Sequence, residues 1–101
     1  MLFSLTMFPI GAGDTIAGPV ADVIDEIDRA GLSYEVTGMD TIIEAGWDEL
    51  LPVVRQAHDR LRAKHARVFT VLMCDDHAGS EGRLESSIHD IERRLGRPVP
   101  L

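Results

Sequence analysis

The stretch Tyr34–Glu49, YEVTGMDTIIEAGWDE, limits what this chain can fold into more than any other segment. A β-prone run, Ser33–Thr37, enters the turn Gly38-Met39-Asp40, and a second run, Thr41–Glu44, leaves it. Two short runs this close together pair antiparallel. Gly38 is expected to supply the positive φ of a tight hairpin, because it has no side chain to clash there. Ala45-Gly46 then breaks the strand, and Trp47-Asp48-Glu49 opens an amphipathic helix. Such a hairpin belongs at the centre of an α+β sheet.

The flanks complete the pattern. Leu2–Phe8 reads as a first strand, stopped by Pro9-Ile10-Gly11-Ala12-Gly13. Asp14 or Thr15 is expected to cap the next helix, where a short side-chain oxygen can accept from free first-turn amides. In that helix Ile16, Val20, Val23, Ile24 and Ile27 recur at helical spacing. Asp22, Asp25, Glu26 and Asp28 are expected to form a solvated face, and Gly31 to stop the helix. After the hairpin, Trp47, Leu50, Leu51, Val54, His58 and Leu61 give a second stripe over about Asp48–Lys64. Pro52 is tolerable there only near the first turn. Arg67–Cys74 reads as a fourth strand. Leu84, Ile88, Ile91 and Leu95 mark a last helix that Gly96 and Pro98 end. The order β-α-β-β-α-β-α, with right-handed crossovers, gives an antiparallel sheet in the order 4-1-3-2. The expectation is one ferredoxin-like sandwich over residues 1–101 with an extra C-terminal helix.

Composition narrows the function. Asp and Glu number 17 against 10 Lys and Arg, a balance that disfavours nucleic acid and anionic membranes. No apolar run approaches the roughly 20 residues needed to span a bilayer, and the N-terminus lacks the charged start of a signal peptide. The lone cysteine, Cys74, excludes an internal disulfide and fits a reducing cytoplasm.

Side chains alternate along strands. Phe3, Leu5 and Met7 share one face of the first strand, and Phe69, Val71 and Met73 one face of the fourth. These uniformly apolar sets are expected under the helices, together with Tyr34 and Val36. The open face would then carry Ser4, Thr6, Thr37, Thr41 and Thr70 among Leu2, Phe8, Val68 and Leu72. So apolar a surface is expected to pack against another copy of the chain. The end of the first strand, the hairpin and the start of the fourth strand meet at one end of the sheet. Thr6, Phe8, Thr37, Met39, Thr41 and Thr70 would converge there. Hydroxyls beside a thioether and an aromatic ring suit a small, flat, polar heterocycle. Glu44 could accept a hydrogen bond from an amino-pyrimidine or balance a cation; a surface or capping role suits it equally.

Catalytic signatures are missing. No phosphate loop, CxxC, HExxH or GxSxG occurs. His58, His65, His77 and His89 do not pair at metal-ligand spacing, and Asp75-Asp76-His77 is a weak metal clip. No catalysis, cofactor or metal is expected.

Ser4, Pro9, Gly11 and Gly13, the string GLxYxxxxMxTxIExxWDE over Gly31–Glu49, and Arg67, Val68 and Thr70 together resemble a known family. It is the small thiamine-binding family, long catalogued as a domain of unknown function. The resemblance implies a ferredoxin-like fold, dimers or sheet-to-sheet tetramers, and cytoplasmic binding of thiamine or its hydroxymethylpyrimidine moiety without catalysis. On this binding reading Ser4, Thr37, Met39 and Thr41 are expected to line the site, with Thr6, Glu44 and Thr70 beside them. Two departures stand out. Gly38 replaces the proline that often precedes the hairpin methionine. Leu72-Met73-Cys74-Asp75-Asp76-His77 replaces a basic Lys-Ile-Asp-Asp-Arg-like run. Loss of those cations favours the free vitamin over its phosphates. The rival class is a structural or regulatory subunit that uses the open face for protein contact alone.

Overall fold

The computed structural model of the chain describes residues 1–11, 13, 16–79 and 83–99, and the side chains of all of these except 83–87. Their elements run β1 (Leu2–Pro9), α1 (Ala17–Arg29), β2 (Ser33–Val36), β3 (Thr41–Glu44), α2 (Trp47–Arg62), β4 (Val68–Asp75) and α3 (Arg83–Leu95). The strands form one antiparallel sheet in the order β2-β3-β1-β4, the expected order seen from the other edge. The architecture is α+β and ferredoxin-like, with the extra C-terminal helix. α1 and α2 pack on each other and on β1, while α3 lies against β3 and β2.

The helix ends follow simple chemistry. Gly46, in extended conformation, precedes α2, and its N–H donates to the Glu49 carboxylate at 3.0 Å. Asp48 and Glu49 meet the positive end of the helix dipole, and Arg60 and Arg62 the negative end. Pro52 lies inside the helix, in its second turn. Gly31, at φ 73°, turns the chain out of α1. The expected caps of α1, Asp14 and Thr15, lie outside the described residues. Ile16 occupies the N-cap position and makes no side-chain cap bond.

Register settles which face is which, because directly opposed residues share a face. Phe3 pairs with Ile43 and Leu5 with Thr41, and all four are buried beneath the helices. Across the other edge Leu5 opposes Leu72, and Met7 opposes Thr70. Val68, Thr70, Leu72 and Cys74 are therefore on the helix side. Phe69, Val71 and Met73 oppose Phe8, Thr6 and Ser4 on the open face. This inverts the expected assignment of β4 and removes Thr70 from the open face. Thr41 leaves it too, since it opposes core Leu5. The cause is position. β4 is an edge strand that the helices barely reach, so its helix side tolerates Thr70 and Cys74 in solvent, and its apolar set faces outward.

The stripe on α2 is also displaced. Leu50, Val53, Ala57 and Leu61 are buried, whereas Leu51 is 46% exposed and His58 only half-buried. Trp47 sits at the rim, edge-on to Phe3 with ring centroids 4.9 Å apart. The acidic face of α1 is not simply solvated. Arg60 of α2 donates to Asp25 (2.8 Å), Asp22 (3.0 Å) and Glu26 (3.2 Å), joining the two helices over the core.

Two outcomes follow from this packing. Leu50→Ala should cost about 2–5 kcal/mol in chemical denaturation. Leu51→Ala should cost less than about 1 kcal/mol; equal losses would restore the displaced stripe. The hydrogen bond from Arg60 is the main reason the Asp25 carboxyl sits below its ordinary pKa of 3.8. A depressed carboxyl stabilises the fold above that ordinary value, and the contribution disappears as pH falls through the folded-state pKa. Thermal midpoints measured from pH 5 downward should therefore fall less steeply in Arg60→Met than in the natural chain.

Candidate functional site

β1 is eight residues long and β3 only four. Their pairing ends at Leu5–Thr41, so Thr6–Phe8 have no strand beside them on the hairpin side. The turn joining β2 to β3 curls next to this gap. A groove of about 510 Å³, counted to its open mouth, lies between the gap, the turn and the first half of α1. Its enclosed part is about 120 Å³, below the 300–1,000 Å³ typical of drug-sized ligand sites.

The walls are apolar. Val20, Val23 and Ile24 come from α1, Met7 from β1 and Val36 from the end of β2. The polar groups come from the turn. Thr37 organises it: its hydroxyl accepts from the N–H groups of Met39 (3.1 Å) and Asp40 (3.0 Å) and donates to the Asp40 carboxylate (2.8 Å). The Thr37 N–H donates to the Asp40 carbonyl at 2.8 Å. Ser4 donates from β1 to the other carboxylate oxygen, which ties the turn to the strand. Thr6 makes a longer contact, 3.5 Å, to the Met39 carbonyl. Met39 itself is 87% exposed at the tip.

Thr41 lies deepest. It is only 6% exposed, it lines the groove, and no described residue hydrogen-bonds its hydroxyl. Among the described residues no fully buried side-chain oxygen lacks a partner, so the Thr41 oxygen keeps a little open surface and is available to whatever enters the groove.

Of the residues expected to converge, Thr6, Phe8, Thr37, Met39 and Thr41 line the groove. Ser4 is one step removed, acting through Asp40. Thr70 is not among them: it lies across β1 from the hairpin, opposite Met7. Glu44 stands at the far end of β3, opposite Leu2 and Ser33. Asp40 and the α1 walls were not foreseen. The Thr37…Asp40 spacing is the signal for Asp40, since hydroxyls and carboxylates bonding local amides are a common turn device. Gly38 is a correction. It does not take positive φ, because a four-residue turn held by Thr37 does not need it. Among the described residues, no three His, Cys, Asp or Glu side chains gather as a metal site.

A Cβ at Gly38 would meet nothing within 4 Å. Gly38→Ala should thus leave the fold intact and add about 0.4–1 kcal/mol of stability by restricting the unfolded chain. A clear loss in a thermal melt would mean that the turn needs glycine after all.

The geometry has known parallels. A family model described as "Thiamine-binding protein" matches residues 3–92. A UPF0045 protein of Methanothermobacter thermautotrophicus is 31% identical over 94 residues, covering 90% of this chain and 95% of its own. A UPF0045 protein of Mycobacterium bovis is 28% identical over 99 residues, covering 97% of each. Among solved structures, a hypothetical protein of Methanocaldococcus jannaschii superposes with a TM-score of 0.83 at 24% identity, covering 89% of this chain and 93% of its own. A candidate thiamine biosynthesis/salvage protein of Thermotoga maritima superposes with a TM-score of 0.78 at 21% identity, covering 89% and 96%. At these identities the superpositions speak for the fold.

Proposed function

The chain belongs to the thiamine-binding protein family, and on that premise we propose that it binds thiamine or its hydroxymethylpyrimidine half in the groove beside the hairpin, as a carrier or sensor without turnover. The observation that carries this reading is Thr41. The residue is 6% exposed, no described residue hydrogen-bonds its hydroxyl, and it stands in the groove among apolar walls and the polar turn. A flat pyrimidine can stack against Val20, Ile24 and Met39 while its ring nitrogens and amino group meet Thr41, the Thr37–Asp40 turn and the strandless edge of Thr6–Phe8. That division of labour, apolar walls with a few oriented polar groups, is how small-molecule sites recognise heterocycles.

The open face supports self-association as a dimer or tetramer. Phe69 is 47% and Met73 59% exposed, with Val71 between them and the Phe8 ring tilted against Phe69 at 5.6 Å between centroids. A contiguous apolar strip of this kind favours a protein contact. It is also the observation that would favour a purely structural subunit. No helix among the described residues is long and apolar enough to cross a membrane, and we place the protein in the cytoplasm.

Thr41→Val separates the two readings. It keeps the shape and removes only the hydroxyl, which no described residue hydrogen-bonds. Calorimetric titration with thiamine and with hydroxymethylpyrimidine should show binding weakened about three- to tenfold, the worth of one hydrogen bond. The thermal midpoint and the mass by light scattering should not fall. Unchanged affinity would move the ligand away from Thr41; no binding by the natural chain would leave the structural role.

A further inference from the structure

We propose that Asp40 makes this groove selective by charge, admitting neutral or cationic heterocycles and barring phosphorylated ones. The inference rests on the ligand class just argued and specifies which forms of it are bound. Among the described residues lining the groove, Asp40 is the single charged one; no Lys, Arg or His is among them. The hydroxyls of Ser4 and Thr37 donate one to each carboxylate oxygen. They fix the group in place without neutralising it, and a carboxylate has lone pairs left for a ligand N–H.

One feature opposes it. Ile16, at the amino end of α1, also lines the groove, and the aligned peptide dipoles there act as roughly half a positive charge. A full carboxylate charge outweighs that. The chain as a whole adds to the same sign, with a net charge of −7. A phosphate ester would bring about 1.5 to 2 further negative charges at neutral pH. It would find a fixed anion and no cation with which to pair. An exocyclic amine or a thiazolium ring would find an acceptor. A protein built this way serves the unphosphorylated pool of its ligand, the material that a phosphatase releases or a kinase consumes.

Hydroxymethylpyrimidine and its phosphate monoester test this directly, because so small a ligand cannot hold its phosphate far from the turn. Both are titrated calorimetrically into the natural chain, Asp40→Asn and Met39→Lys. The natural chain should bind the alcohol at least about tenfold more tightly than the phosphate at low salt, with the ratio shrinking as salt rises. Asp40→Asn removes the charge and keeps an acceptor for one of the two hydroxyls, the other having to turn and accept from the amide, and should bring the ratio to within about threefold. Met39→Lys adds a cation at an exposed tip and should do the same, which keeps the test open if Asp40→Asn does not fold. Equal or tighter binding of the phosphate by the natural chain would overturn charge selection while leaving the ligand class standing. So would a ratio that neither variant moves. Failure of both thiamine and the alcohol to bind the natural chain would overturn the ligand class itself, and the selection with it.

Discussion

A strand of eight residues lies beside one of four, and the candidate site exists because of that mismatch. Backbone N–H and C=O groups strongly favour partners, and β1 satisfies its β4 edge along its whole length. On the hairpin side pairing stops at Leu5. The chain does not close the gap with more strand. It folds a four-residue turn alongside and pins it with side chains: Thr37 to its own amides, Asp40 to Thr37, and Ser4 to Asp40. What remains open is a slot with a ready hydroxyl at its floor.

The same register explains the rest of the surface. Because Leu5 opposes both Thr41 and Leu72, the helix side of the sheet is fixed from the central strand outward. Phe3, Leu5, Met7 and Ile43 then meet Val23 and Ile27 of α1 and Leu50, Val53, Ala57 and Leu61 of α2 in one core. Arg60 holds the two helices together above it through three carboxylates. β4, at the edge, turns Phe69, Val71 and Met73 the other way. The groove opens on the hairpin side of β1 and the apolar strip lies toward β4, and they meet at Thr6 and Phe8.

Much of this was legible in the residues. Strand-prone runs, the glycine stops and the apolar spacing in α1 gave the element order and the sheet topology, since each signal is local. The hydroxyls around the hairpin were legible for the same reason: Thr6, Thr37 and Thr41 are placed by topology alone. What failed needed information that no single strand contains. The two faces of β4 differ only by which is opposed to Leu5, and a pattern of Phe, Val and Met looks like core wherever it occurs. Thr70 was lost with that face. Glu44 stayed open between a ligand and a surface role, because its place at a strand end says nothing about which end of the sheet holds the slot; it stands at the other end, opposite Leu2 and Ser33. The α2 stripe slipped because Ala57, a small residue that lets the helix approach, carries little signal beside Leu51 and His58. Asp40 was read as turn chemistry and not as the group that joins the turn to β1.

The measurement that bears most directly on the site is a methyl-resolved NMR titration with thiamine. Binding in the slot predicts shifts concentrated at Val20, Ile24, Met39 and Thr41, with Val71 and Met73 on the open face little changed. Shifts centred on Val71 and Met73, with Val20 and Thr41 silent, would put the ligand on the apolar strip and leave the slot beside the hairpin without a role.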